Sequence, residues 1–192
     1  VPGLALAFGW RATFIGVAIA GLLVAASAQP IRETLDDDRQ PRTPFTFAAI
    51  SEPLAVVMRT AVLRRLATLS FAYAAVQVSL TSFIVVYLTE ILHWTLISAG
   101  LVLTLTTFGG AVGRIGWGAC ADHTRAPGAV LALIGALAAV CALILAFAEP
   151  GWSFAVVALV SFVFGATAIG WNGVELAEVA RNAPPGKAGA VT

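Results

Sequence analysis

Four long stretches of the sequence contain no charged side chain, and they constrain the fold more than any other feature. They are residues 66–89, 95–113, 126–148 and 150–174. A helix needs roughly 20 apolar residues to cross a bilayer core about 30 Å thick. Only helices and closed barrels cross a bilayer, because every backbone polar group must form its hydrogen bond within the protein. Because the stretches are continuously apolar and do not alternate as barrel strands do, they predict transmembrane helices.

The composition agrees with a location in lipid. Hydrophobic residues make up 59% of the 192 residues, charged residues make up 11%, and the net charge is +1. A soluble domain has roughly a quarter charged residues, so this chain has too little polar surface for water. Cys120 and Cys141 are expected to be small packing residues. Neither they nor His93 and His123, which lie in separate predicted loops, show a metal-ligand spacing, and we expect no metal site and no cofactor.

Arg11 is the one charge in the opening apolar run, residues 1–31. Because a charge at the bilayer centre is costly, we place a turn at Gly9–Arg11, with one helix ending before it and another running from about 12 to 28. The chain then contains the end of one span followed by five full spans. The predicted fold class is all-α, a polytopic membrane helix bundle with about five full transmembrane helices.

Basic side chains are distributed unevenly between the two faces that the alternating spans create. Of the lysines and arginines, only Arg11 falls on the poorer face. The positive-inside rule makes the richer face cytoplasmic, so we predict cytoplasmic loops at 29–65, 114–127 and 175–192. The first is interpreted as a solvated linker with a short helix at the inner surface, with a ligand site as the weaker alternative. The basic residues of the richer face are Arg32, Arg39, Arg42, Arg59, Arg64, Arg65, Arg114, Arg125, Arg181 and Lys187.

Small residues mark the faces along which membrane helices pack. Two sets recur at helical spacing: Gly109, Gly110 and Gly113 in one span, and Ser161, Gly165 and Ala168 in the last. Both predict a tight bundle. Thr104 and Thr107 share a face of the first of these spans, and their hydroxyls are expected to bond the backbone of their own helix.

Polar side chains inside spans are expected to face protein, because a polar stripe in contact with lipid is costly. Tyr73, Gln77 and Thr81 are spaced by four residues and share one helix face. Trp171 and Asn172 lie in the last span. These residues are candidates for the wall of a water-accessible cavity. For Gln77, a purely structural hydrogen bond to a neighbouring helix is an equal alternative.

Glu175 and Glu178 continue the polar stripe of the last span toward its cytoplasmic end. Solvation by water is the favoured interpretation for both side chains. Proton coupling is the alternative role for Glu175, because carboxylates within membrane spans belong to ion and proton pathways in pumps and transporters.

The segment GRIGWGACADHTR, residues 113–125, contains a signature. A membrane helix that ends in Gly-x-x-x-Asp and continues with basic residues and a short cytoplasmic turn resembles the signature loop of the major facilitator superfamily. Gly118 and Asp122 match the pattern, and His123 takes its first basic position. Arg125 stands where a second glycine is expected, and the final basic pair is absent.

This resemblance implies a cytoplasmic gate formed by Arg114, Gly118 and Asp122, with His123 and Arg125 beside it. In the family, the aspartate of this loop latches the cytoplasmic side through charge and helix-dipole contacts, a role that carries over to Asp122. We expect Asp122 to pair with Arg114 or with the N-terminus of a neighbouring helix.

The resemblance extends to GWR at residues 9–11 and to the C-terminal segment 170–192, so it covers nearly the whole chain. It implies a partial major-facilitator-type fold with the end of the fifth helix and helices six to ten of twelve. Residues 1–28 then end the N-terminal half, 29–65 link the halves, and 66–192 belong to the C-terminal half. Such a chain is a fragment that holds one wall of a substrate site between the halves.

The function that the resemblance implies is secondary active transport of a small solute by alternating access in the bacterial inner membrane. The expected partners are a small-molecule substrate, optionally a coupled proton, the bilayer and the rest of the chain, and not nucleic acid. The alternative is a non-transporting module that anchors or assembles a partner. We expect no enzyme, because intramembrane hydrolysis needs a Ser/His, paired-Asp or His/Glu metal constellation at depth, which the sequence does not present.

Overall fold

The computed structural model describes residues 2–31 and 47–183, and every regular element in these two segments is a helix. Five stretches are long and apolar enough to cross a membrane: Phe8–Ala28, Ala61–Glu90, Leu96–Thr124, Pro127–Ala146 and Phe154–Asn182. The prediction of an all-α polytopic bundle with five full spans is confirmed. The helices are α1 (Pro2–Ala28), α2 (Phe47–Arg59), α3 (Ala61–Glu90), α4 (Leu96–Thr124), α5 (Pro127–Ala146), α6 (Phe154–Ala168) and α7 (Asn172–Asn182).

Helix α1 belongs to a separate compact unit from the other helices, and it is kinked at Gly9. The φ angle of 80° and ψ angle of 157° at this residue are readily adopted only by glycine. The hydroxyl of Thr13 donates a hydrogen bond to the Gly9 carbonyl at 3.0 Å, where the helix resumes. The turn predicted at Gly9–Arg11 is therefore a kink at one residue, and Arg11 is already helical.

Helices α4 and α6 form the most extensive contact of the bundle, and glycines on both helices permit it. A Cβ atom at Gly165 would lie 2.6 Å from the carbonyl carbon of Thr106. A Cβ atom at Gly113 would lie 2.7 Å from the carbonyl carbon of Ala166. Because real side chains do not approach backbone so closely, only glycine fits at either position. The predicted small-residue faces are thus confirmed as helix contacts.

Two tyrosines of α3 connect this helix to α5. The hydroxyl of Tyr73 donates to the Leu131 carbonyl, and that of Tyr87 donates to the Leu145 carbonyl, both at 2.5 Å. The two bonds occur in the same order along both helices, so α3 and α5 run in the same direction. This is the arrangement expected of two spans that are separated by one antiparallel span.

The prediction of a loop at 114–127 is wrong for residues 114–124, because α4 continues to Thr124. Arg125 ends this helix in the left-handed conformation with a φ angle of 52°. Pro127 opens α5, so only Arg125 and Ala126 connect the two spans. The apolar sequence ends before the helix does, since a membrane helix can continue past the hydrocarbon with polar side chains reaching water.

The amphipathic part of the predicted linker 29–65 is helical, while residues 32–46 lie outside the described part of the chain. Helix α3 begins at Ala61, still within the predicted linker. The guanidinium of Arg64 donates to the Met58 carbonyl at 3.1 Å and so connects the start of α3 to the end of α2. The apolar contact between these helices and α7 consists of Val56, Val57, Leu63, Leu66 and Val179.

The span predicted at 150–174 is interrupted. Helix α6 ends at Ala168, α7 begins at Asn172, and the residues between them form a turn. Gly170 permits this turn to lie on α4, because a Cβ atom there would be 2.8 Å from the carbonyl carbon of Gly113. The break divides the last span into two helical segments, and α7 then runs on into the segment predicted as a C-terminal loop.

Candidate functional site

Three polar side chains of the predicted cavity wall meet at the break between α6 and α7. Gln77 lies on α3, and its Oε1 accepts hydrogen bonds from Trp171 Nε1 at 3.3 Å and from Asn172 Nδ2 at 3.4 Å. Asn172 Nδ2 also donates to the Ile169 carbonyl at 3.1 Å. The two bonds to Gln77 are longer than the usual range of about 2.7–3.2 Å.

Tyr73 holds Trp171 in place. The two rings stack with their centroids 5.2 Å apart and their planes 16° apart, and both side chains are buried. The Tyr73 hydroxyl is used in its bond to the Leu131 carbonyl. Tyr73 therefore positions the indole of Trp171 from one side while Gln77 binds it from another.

The structure does not bring Thr81 into this cluster. Its hydroxyl donates to the Gln77 carbonyl at 2.9 Å, within its own helix. Thr104 and Thr107 behave as predicted, with hydroxyls bonded to the α4 carbonyls of Gly100 at 2.9 Å and Leu103 at 3.1 Å. A threonine in a membrane helix can satisfy its hydroxyl locally, and each of these three residues does so.

Glu175 is buried, so the expectation that water solvates it is wrong. The residue is 7% exposed, and its Oε1 lies 2.6 Å from the hydroxyl of Ser70 on α3. The same hydroxyl lies 2.9 Å from the Leu66 carbonyl, and its single proton serves one acceptor at a time. The sequence analysis missed Ser70, although it extends the stripe of Tyr73 and Gln77 by one helical turn.

A cavity of about 380 Å³ adjoins this carboxylate. Its size lies within the range of roughly 300–1,000 Å³ that is typical of small-molecule sites. Its lining mixes polar and apolar side chains and is contributed by α2, α3, the break and α7. The polar lining is Ser70, Trp171, Asn172 and Glu175, and the apolar lining is Val57, Leu63, Ala67, Leu176 and Val179.

Asp122 pairs with Arg181 of α7, a partner that the sequence analysis missed. The distance from Asp122 Oδ1 to Arg181 Nη2 is 3.7 Å, and Arg181 Nε lies 3.7 Å from Glu178 Oε2. The predicted pairing with Arg114 does not form, because both residues lie on one continuous helix, and eight residues of helix separate them by about 12 Å. Arg181 instead connects the ends of α4 and α7.

The other residues of the predicted gate do not join this pair. A Cβ atom at Gly118 would meet no atom within 4 Å, so no close helix approach depends on it. Arg114, His123 and Arg125 are exposed, and within 2–31 and 47–183 they form no ion pair. His123 lies in the last turn of α4 rather than in a loop.

A tryptophan that the sequence analysis did not single out supports the break. Trp117 Nε1 donates to the Ala166 carbonyl at 2.9 Å. This carbonyl lies in the last turn of α6, where the helix has no backbone donor left for its final carbonyls. Among the residues described, no group of three His, Cys, Asp or Glu side chains is placed to hold a metal ion.

Comparison with protein families matches residues 1–192 to the Major Facilitator Superfamily. No curated protein sequence and no solved structure matches the chain. The match extends over the full length of the sequence, and five apolar helices of spanning length are consistent with it.

Proposed function

Because the chain belongs to the major facilitator superfamily of membrane transporters, we propose that it is a secondary active transporter that moves a small solute by alternating access. The observation that carries the proposal is the convergence of Gln77, Trp171, Asn172 and Glu175 where the last span is broken. In transporters, broken membrane helices form substrate and ion sites, since the interrupted segment faces a cavity. Transport, not catalysis, is the proposed activity.

In this proposal the polar cluster is one wall of the substrate cavity. Gln77 and Asn172 offer amide groups to the solute, Trp171 contributes its indole to the lining, and Tyr73 and Gln77 orient that indole. The opposite wall belongs to the other half of the transporter, because substrate sites in this fold lie between repeats.

The proposed location is the bacterial inner membrane, with α2, the Arg125–Ala126 turn and the end of α7 on the cytoplasmic side. The positive-inside rule supports this orientation. Arg59, Arg64 and Arg65, at the junction of α2 and α3, are all exposed on this side of the bundle.

Binding followed by uptake tests the proposal. Solutes are selected from a panel of metabolites and drugs by the rise in melting temperature that they give the purified full-length chain, since a ligand specific for the folded state stabilises it. Selected solutes are then followed into proteoliposomes. We expect saturable uptake. Binding without any movement across the bilayer would favour the alternative, a membrane anchor or assembly module.

We propose that Asp122 latches the cytoplasmic side through Arg181, and we expect Asp122→Asn to slow uptake by about two- to fivefold. The effect is modest because both side chains are at least half exposed. Exposed ion pairs contribute roughly 0.2–1 kcal/mol. Initial uptake rates in proteoliposomes measure the effect, with Glu149→Gln in the turn between α5 and α6 as the matched control.

Arg181→Gln breaks the same ion pair from the other side. Arg181→Gln also removes the contact with Glu178, so if the pair is the latch, the double variant is no slower than Arg181→Gln alone, because Asp122→Asn then removes nothing further. Unchanged uptake in Asp122→Asn, or losses that add in the double variant, would contradict the latch.

We also propose that Glu175 carries a coupled proton. Glu175 is 7% exposed, lines the cavity and has a serine hydroxyl as its near partner, so it is the carboxylate of this site that a proton from the cavity would reach. Glu175→Gln is expected to abolish accumulation driven by a pH gradient, while Glu149→Gln accumulates solute like the unchanged chain. Gradient-driven accumulation that persists in Glu175→Gln would remove Glu175 from the coupling step.

A further inference from the structure

Glu175 is the single charged side chain among the residues that line the 380 Å³ cavity. Its Oε1 shares the one proton of the Ser70 hydroxyl with a backbone carbonyl. Across 2–31 and 47–183, no donor reaches its Oε2 and no basic group forms an ion pair with it. Within the part of the chain that the structure describes, this carboxylate therefore has no counter-charge, and a cation that enters the cavity could pair with it.

The basic side chains near this end of the bundle are engaged elsewhere or exposed. Arg181 pairs with Asp122 and Glu178, and Arg64 donates to the Met58 carbonyl. Helix α5, which also packs on α7, carries no charged residue. The remaining charged residues on the helices around Glu175 are Glu52 and Arg59 of α2, Arg65 and Glu90 of α3, and Arg114 and His123 of α4.

The rest of the cavity suits a cation with an apolar body. Trp171 lines the cavity; one face of its indole is stacked on Tyr73, and a cation is attracted to an indole face that remains free. The lining also contains the apolar side chains of Val57, Leu63 and Val179. An apolar group that packs against them leaves water, which is favourable. An anion of the same shape would meet the Glu175 carboxylate and be repelled.

We infer that the cavity binds an organic cation, a protonated or quaternary amine with a compact apolar body, and that the ammonium group pairs with Glu175. This inference rests on the proposed transport function, because it names the substrate class of the same site. The proton that we assigned to Glu175 and the ammonium group then occupy the same carboxylate in turn.

The test compares three probes with one phenyl body and different charge: 2-phenylethylammonium, 2-phenylethanol and phenylacetate. Binding to the full-length chain in nanodiscs is measured by calorimetry without any ion gradient. We expect the ammonium to bind at least about tenfold more tightly than the alcohol, since hydrogen bonds to charged groups are the stronger ones. Phenylacetate is expected to bind most weakly.

Glu175→Gln should reduce the affinity for the ammonium to that for the alcohol, while Glu149→Gln keeps the tenfold preference. Glu175→Asp retains the charge and should retain the preference, which separates loss of charge from loss of folding. The inference is overturned if the alcohol binds as tightly as the ammonium, if phenylacetate binds most tightly, or if the preference survives in Glu175→Gln.

These outcomes are independent of the transport assay. Saturable uptake of other solutes, together with no preference for the ammonium, would leave the proposed function standing and remove the cation site. A preference that depends on Glu175, together with no uptake of any solute, would leave the cation site standing and remove the transport function.

Discussion

Gly165→Ala is expected to destabilise the bundle by about 3 kcal/mol or more, the upper end of the cost of overpacking a core. The added Cβ would lie 2.6 Å from the carbonyl carbon and 2.9 Å from the Cα of Thr106. Both are backbone atoms of α4, so no side chain can rotate away to make room. Helices α4 and α6 must therefore separate along their most extensive contact, and the fall in melting temperature of the detergent-solubilised chain measures the loss.

Gly116→Ala is the matched control for this substitution. Gly116 lies on α4, three residues from Gly113, but a Cβ there would meet no atom within 4 Å. Alanine is favoured over glycine in a helix interior by up to about 1 kcal/mol, so the control should be neutral or slightly stabilising. Equal melting temperatures for the two variants would show that the glycine contact between α4 and α6 is not as close as described.

The spans could be predicted from the sequence because their cause is local. Each uncharged stretch, for example 126–148, is long enough to cross the bilayer core. Because backbone groups in lipid must hydrogen-bond within the segment, such a stretch forms a helix. The helix faces that carry the glycines could also be predicted from a local feature, the spacing of the small residues along each span. Gly165 and Gly113 could be assigned to contacts before any partner helix was known, since small residues are what close helix packing requires.

The ends of the helices could not be predicted from apolarity. Residues 114–124 are helical although they carry Arg114, Asp122 and His123. Charge marks where a chain leaves the hydrocarbon, not where its backbone hydrogen bonds stop. The error had a consequence for the site, because a continuous α4 separates Asp122 from Arg114 and brings it to Arg181.

The break at Ile169–Trp171 also has no local signal, since its three residues read as part of an apolar run. It depends on contacts with α4, where Gly170 and Gly173 lie against the backbone of Arg114. The break sets the position of α7, which in turn buries Glu175 against Ser70. A sequence pattern placed Gln77 and Trp171 on polar stripes, but only the break explains why the two stripes meet.

Gln77→Leu is expected to weaken binding of the transported solute by about tenfold or more. Leucine has a similar size but no amide, so the solute loses the hydrogen bond that we propose it makes with Gln77, whereas the contacts from Trp171 Nε1 and Asn172 Nδ2 to Gln77 are lost in the free and the bound protein alike. A polar group of the solute that is buried without a partner costs roughly 1–3 kcal/mol, and 1.4 kcal/mol is about tenfold in affinity. The Kd of a solute selected by thermal shift measures the effect in the purified full-length chain.

Thr81→Val separates the polar cluster from the wider stripe of α3. Thr81 lies one turn from Gln77, and its hydroxyl bonds its own helix, so we expect its loss to change the Kd by less than about twofold. If Thr81→Val weakens binding as much as Gln77→Leu, the whole stripe faces the solute, as the sequence spacing alone suggests. If Gln77→Leu lowers the melting temperature and leaves the Kd unchanged, Gln77 is a packing residue and the substrate wall lies elsewhere.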